Sequence, residues 1–240
     1  MDLNVVNVGS LGWELFDLGM NSEPKDHYTD AIVRYIRAMQ TPEGIWKLNE
    51  SRRPPMNSGE VQATALAVYS LKQFSQPADR VDTEKALARA AAALATMKPG
   101  VTQDRAFQLL GLAWASAPAA SIESAASALA KAQRPDGGWN QLPGMGSDAY
   151  ATGQALYALN AGGKLPTTDD VYQKGVRYLL QTQANDGSWH VKTRSIWIQP
   201  YFESGFPYSH DQWISGAGTS WAAMALAMTA EPQRISRNIP

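Results

Sequence analysis

The chain has 240 residues, no cysteine, and 21 basic against 22 acidic residues for a formal net charge of -1. Without a basic stripe it offers nothing to nucleic acid, and without thiols it has no disulfide framework, thiolate metal site or cysteine nucleophile. Neither a run of about 18 apolar residues nor a cationic leader followed by an apolar stretch is visible, so a soluble, cytoplasmic protein with no integral membrane segment is expected.

In chain order, "GSLGWELFDLG" (9–19) reads as an apolar helix with no charged helix before it. "HYTDAIVRYIRAMQ" (27–40) is amphipathic, with Ile32, Tyr35, Ile36 and Met39 recurring at three and four residue steps and charges on the other face. "GEVQATALAVYSL" (59–71) follows and is apolar or small on nearly every side, the signature of a buried helix. The alternation then repeats: charged at 82–97, apolar at 104–115, charged at 121–133, apolar at 147–159, charged at 171–183 and apolar at 216–228. The apolar helices share a frame in which Glu60, Thr64, Ala67 and Tyr69 match Asp148, Thr152, Ala155 and Tyr157, with Thr219 on the same register.

A second periodicity marks the turns. Gln40, Gly44 and Trp46 stand at the spacing of Gln133, Gly137 and Trp139 and of Gln183, Gly187 and Trp189, with an acid before each glycine (Glu43, Asp136, Asp186). The first gap between copies is about twice the second, which places one degenerate copy, without Trp, in "ATMKPGVTQDRAF". Chemically these residues are struts: Gln donates to carbonyls freed at a helix end, Gly takes a left-handed turn, and the acid accepts amides at the next helix start.

The expected fold is therefore all-α: an (α/α) toroid of about four and a half helical hairpins, with inner apolar and outer amphipathic helices, forming one domain over 1–240. Its repeats span about 25–75, 80–116, 119–162 and 168–230, residues 1–24 form a partial inner-helix unit, and 190–213 form an aromatic-rich insertion.

The stretch Lys174, Gly175, Tyr178, Leu179, Gln183, Asp186, Gly187 and Trp189 resembles the QW motif of squalene-hopene cyclases and related class II terpene cyclases. The hairpin pattern extends the resemblance over roughly 9–230. It implies an apolar, isoprenoid-class substrate, no cofactor, and an aspartic acid in a DxDD motif that protonates an alkene or epoxide at the start of an inner helix. Protein prenyltransferases share the toroid, but the cysteine their zinc needs is absent here.

The chain departs from the family at the acid. "DAYAT" (148–152) lies where DxDD-Thr belongs, with Asp148 first and Tyr150 in the place of the proton-donating Asp. A phenol with a reference pKa near ~10 is too weak for that task. Asp148 as the acid with Tyr150 as its hydrogen-bond partner is one reading, and Asp148 as a helix cap is the other.

Substrate contacts are expected from the insertion, at Trp197, Tyr201, Phe202, Glu203, His210, Asp211 and Trp213, whose aromatic faces can line an apolar pocket and stabilise a cation; the same rings plugging one mouth of the barrel is the plainer alternative. Glu60 and Asp104, at inner-helix starts, join them if they face Asp148, a carboxylate set that equally suits a toroid hydrolase or lyase, and equally suits helix capping. Arg52 or Arg53 offers an anion-binding cation at the rim, or a surface ion pair. No metal site is expected from three scattered histidines. A non-catalytic scaffold remains the competing function, and the unpaired first helix suits either a homodimer or a natural chain with a further N-terminal segment.

Overall fold

The computed structural model describes residues 7–48, 54–55, 59–195 and 201–230. Among these residues the regular structure is helical apart from one two-stranded ribbon. The helices are α1 (Val8–Met20), α2 (His27–Ala38), α3 (Glu60–Phe74), α4 (Arg80–Thr96), α5 (Thr102–Trp114), α6 (Ala119–Lys131), α7 (Ala149–Ala161), α8 (Asp170–Thr182) and α9 (Gln212–Ala227). Strands β1 (Trp139–Asn140) and β2 (Ser147–Asp148) pair antiparallel just before α7.

The alternation of composition becomes an alternation of layers. α2, α4, α6 and α8 bury one stripe each, as with Ile32, Val33 and Ile36 on α2, whereas α3, α5 and α7 bury nearly every side. A helix apolar all round has no place except inside, so the odd-numbered helices form the inner wall. They pack side by side in chain order. The register advances in one direction across each contact: a Cβ on Gly12 would touch Leu66 and one on Gly19 would touch Tyr69, while Gly153 abuts Trp221 and Gly218 abuts Tyr150. The inner helices are therefore parallel, and all begin at the same end, here called the upper end. The indoles of Trp13 on α1 and Trp221 on α9 meet at 6.2 Å between ring centroids, bringing the first and last inner helices together. The architecture is an all-α (α/α) toroid.

The Gln-Gly-Trp turns join outer to inner helices at the upper end, and each is built alike. Gln40, Gln133 and Gln183 donate to the carbonyls of Gly44, Gly137 and Gly187 at 3.0, 2.9 and 2.9 Å. Two reach further, to Ala86 on α4 at 2.9 Å and to Val171 on α8 at 2.8 Å, and so bolt one repeat to the next. The indole N–H groups of Trp46, Trp139 and Trp189 donate back to Ile36, Leu129 and Leu179. The acids act inside the turn instead of at the next helix: Asp136 accepts from Gly138 and Asp186 from Ser188, both at 3.0 Å. Asp136 also accepts from Ser147 Oγ at 2.9 Å, on the strand that leads into α7.

Where the repeat lacks its Trp, Gln108 fills the role from α5. Its amide donates to the carbonyls of Leu94 at 2.7 Å and Met97 at 2.9 Å, the end of α4 that an indole would otherwise satisfy. The last inner helix starts earlier than its glycines suggest, at Gln212. The buried Gln212 side chain there donates to Phe202 carbonyl and accepts from Ser204 amide, which fixes the chain entering the helix.

Candidate active site at the upper end of the ring

Asp148 is the N-cap of α7, its Oδ1 accepting from the amide of Ala151 at 2.9 Å. The capping geometry of the sequence is therefore present, and it uses only one oxygen. The other, Oδ2, accepts from the side-chain amide of Gln141 at 3.1 Å. Gln141 sits in the turn between β1 and β2, where pairing of Trp139 with Asp148 folds the chain back and delivers the amide to the carboxylate. Its carbonyl accepts from Nε of Arg194 at 2.9 Å, a residue of the connection to α9. Burial pushes the Asp148 carboxyl above its usual range, opposed by the Ala151 amide, Gln141, and the charge of Arg194. Burial in turn lowers the Arg194 guanidinium, and Tyr150, Asp148 and Asp104 oppose it.

Tyr150 does not bond Asp148. Its phenol, 1% exposed, donates to Gln103 Oε1 at 2.8 Å, and Gln103 donates to the carbonyl of Pro55 at 2.6 Å. A side chain two residues beyond the cap points a different way around the helix, into the ring. Desolvation drives its pKa far upward, so the phenol stays neutral. Gln154 lies beside the same phenol, with its amide atoms outside hydrogen-bonding geometry.

Asp104, in the first turn of α5, accepts from Gly100 amide at 3.3 Å, and burial raises its pKa as well. Glu60 opens α3 beside it, since a Cβ on neighbouring Gly59 would stand 2.8 Å from Asp104 Oδ1. Arg194 is the shared cation of Asp104 and Asp148, and Glu60, like them, stands where an inner helix begins, at the positive pole of its dipole. The connection carrying Arg194 is tied down by Val191 amide to Ser215 Oγ at 2.9 Å, Thr193 amide to Asp211 at 2.7 Å, and Ser195 Oγ to the carbonyl of Pro54.

Below this polar end the ring is aromatic. Trp13 and Phe16 of α1, Tyr69 of α3, Phe107 and Trp114 of α5, Tyr157 of α7 and Trp221 of α9 meet mostly edge to face, at centroid distances from 4.9 Å to 6.4 Å. Every inner helix contributes. Sequence reading missed this lining, although a signal exists: Gln62 and Tyr69, Gln103 and Phe107, and Tyr150 and Tyr157 repeat at helical spacing, a polar residue above a ring on one face.

The expected aromatic wall of the insertion lies elsewhere. Tyr201, Phe202 and Trp213 are 47%, 69% and 56% exposed, with Phe202 stacked on Trp213 at the surface. Tyr201 packs on His210 and donates to Glu203 at 2.5 Å. Asp211 pairs with His190 at 2.7 Å. Trp197, Arg52 and Arg53 lie outside the described residues. Among the described residues no group of three or more His, Asp or Glu side chains is arranged to hold a metal, and no helix is long and apolar enough to cross a membrane.

Parallel inner helices, Gln-Gly-Trp turns and a capping aspartate where an inner helix begins are features distributed over the whole chain. Residues 100–239 match the squalene-hopene cyclase C-terminal domain, more than half of the sequence. The chain belongs to that family.

Proposed function

We propose that this terpene-cyclase-like protein holds an apolar, isoprenoid-class molecule against the aromatic lining of the ring, with Asp148 as the acid at its polar end. The observation that carries the reading is the pairing of seven aromatic side chains from five inner helices with a desolvated carboxyl at the start of α7. Ring faces stabilise a developing carbocation without supplying a nucleophile that would quench it. Burial shifts the Asp148 carboxyl toward its protonated form, the form that can donate. In the step, the carboxyl O–H bond breaks with its electron pair left on oxygen. The alkene π pair takes the proton to form a C–H bond, the next double bond can attack the cation on the adjacent carbon, and the final cation gives a proton back to the Asp148 carboxylate, with the C–H pair forming the new alkene. Tyr150, neutral and bonded to Gln103, forms the ceiling of the lining and takes no part as acid. Phe202 and Trp213 are assigned to an apolar outer surface, and Glu203, His210 and Asp211 to holding the connection in place.

A scaffold without catalysis is the second reading, favoured by one observation: the rings touch one another across the axis, so the interior is filled by its own side chains. Mass spectrometry separates the two. The purified protein is extracted with solvent, then incubated with squalene and shorter polyprenyl compounds. A retained isoprenoid supports the binding reading, and a product that disappears in Asp148→Asn supports the acid. Neither lipid nor product leaves the scaffold.

A further inference from the structure

We propose that Arg194 is the positioning residue of Asp148, acting through Gln141. It dictates which end of the Gln141 amide meets the carboxyl, and so favours the carboxylate that remains when a proton leaves. The proposal rests on the reading of Asp148 as the acid.

A glutamine amide presents a donor at one end and an acceptor at the other, and nothing intrinsic chooses between its two orientations. Gln141 is 3% exposed, so water does not make the choice. Arg194 does. A guanidinium has no acceptor and does not lose its proton, so Nε–H at 2.9 Å requires the carbonyl oxygen of Gln141 to face it. The NH2 group is then left facing Asp148 Oδ2 at 3.1 Å. With Arg194 removed, the amide is free to turn its oxygen toward Asp148, a partner that suits the protonated carboxyl and opposes the ionised one.

The chain is also cooperative. A charged donor polarises the amide it bonds, which strengthens the donation at the amide's far end. The ionised carboxyl therefore has four supports: the Ala151 amide, Gln141, the Tyr150 amide and the field of Arg194. Around Asp148 stand Tyr150 of α7, Tyr178 of α8 with Asp136 and Arg134 beside it, and Asp104 of α5 near Arg194. Among these groups Arg194 is the cation bonded to the amide that touches Asp148. The device sits far apart in sequence, since 53 residues separate Gln141 from Arg194. The connection to α9 thereby controls an acid at the start of α7.

The test is a carboxyl-carbon NMR titration of Asp148 in the intact protein, with the resonance assigned by its absence in Asp148→Asn. In Arg194→Met the midpoint is expected to rise by about one unit or more, the size of effect an opposite charge at close range exerts. In Gln141→Leu it rises too, because the donor is gone. In Arg194→Lys the charge is kept without the fixed N–H, and a smaller rise is expected. A midpoint unchanged in both Arg194→Met and Gln141→Leu, with circular dichroism as in the parent, overturns the proposal. Should Arg194→Met not fold, Gln141→Leu and Arg194→Lys decide it on the same criterion. No lipid enters the experiment, so failure of the isoprenoid reading and failure of this one are seen separately.

Discussion

Thr152 Oγ1 accepts the backbone amide of Trp139 at 2.9 Å, and the same bond joins Thr64 to Trp46 at 3.1 Å and Thr219 to Trp189 at 3.0 Å. Three threonines on three inner helices therefore each satisfy the one amide that the turn buries with its indole. Trp139 is fully buried, so its amide has no water to turn to. Thr152→Val keeps the shape and removes the acceptor. It is expected to cost about 1–3 kcal/mol, the penalty for a buried donor left unpaired. Thr152→Ser keeps the hydroxyl and is expected to retain most of the stability. Urea unfolding of the two variants checks this, and a loss in Thr152→Ser with none in Thr152→Val would show that the methyl, not the bond, is what matters.

The turn glycines make a graded prediction. Gly137 and Gly187 both have positive φ, 87° and 84°, so alanine is strained at either by about 1–2 kcal/mol. Their surroundings differ. A Cβ on Gly137 would meet the carbonyl oxygen of Lys174 at 2.6 Å, the backbone of α8, whereas at Gly187 the nearest atom is Gln183 Nε2 at 3.9 Å. Gly137→Ala is therefore expected to destabilise clearly more than Gly187→Ala, because it must also push one repeat from the next. Thermal melts side by side give the ranking, and the reverse order would mean that repeat-to-repeat contact at the turn is loose.

Much of this was legible in the sequence. The helices lie within a few residues of the expected segments, because the outer helices carry a clear polar stripe and the turns carry Gly and Trp. The lining was not legible. An inner helix apolar on nearly every side has no amphipathic face, so the only local hint of which side of α5 points inward is Gln103 above Phe107, and that hint gains meaning only once α3 and α7 flank it. The partner of Asp148 was likewise hidden. Tyr150 is two residues away and looks adjacent, while Gln141 and Arg194 arrive by a strand pairing and a long connection.

Asp148 gives stability a particular pH dependence. Its folded-state carboxyl is shifted up by burial, so the native protein holds a proton that the unfolded chain releases near pH ~4. The stability contributed by the protonated form is full below that value and is lost as pH climbs to the folded midpoint. Asp148→Asn carries no such proton, although its side-chain oxygen still caps α7. The difference in unfolding free energy, variant minus parent, is expected to grow as pH rises from about 4 to the folded midpoint and then to level off. Asp104 is shifted in the same direction and is common to both proteins. Guanidinium unfolding at a series of pH values measures the difference, and a flat line would place Asp148 in a wetter setting than its contacts imply.

Closure of the ring depends on how near α7 and α9 approach. A Cβ on Gly153 would lie 2.5 Å from the carbonyl carbon of Trp221 and 2.6 Å from the amide nitrogen of Ala222, so the two backbones touch there with no side chain between them. Trp221 is also the ring that meets Trp13, Phe16, Phe107 and Tyr157. Gly153→Ala must therefore move α9 outward and draw the central indole away from four partners at once. A backbone neighbour cannot swing aside as a side chain can, and overpacking of this kind costs about 1–3 kcal/mol or more. The matching control is Gly146→Ala, where nothing stands within 4 Å of the added carbon; a change within about 0.5 kcal/mol is expected. Near-ultraviolet circular dichroism should weaken in Gly153→Ala while the helical signal persists, since ring packing is lost before helices are. If the aromatic signal survives intact, the rings are held by α1, α3 and α5 alone and α9 is a cover on the lining instead of part of its wall.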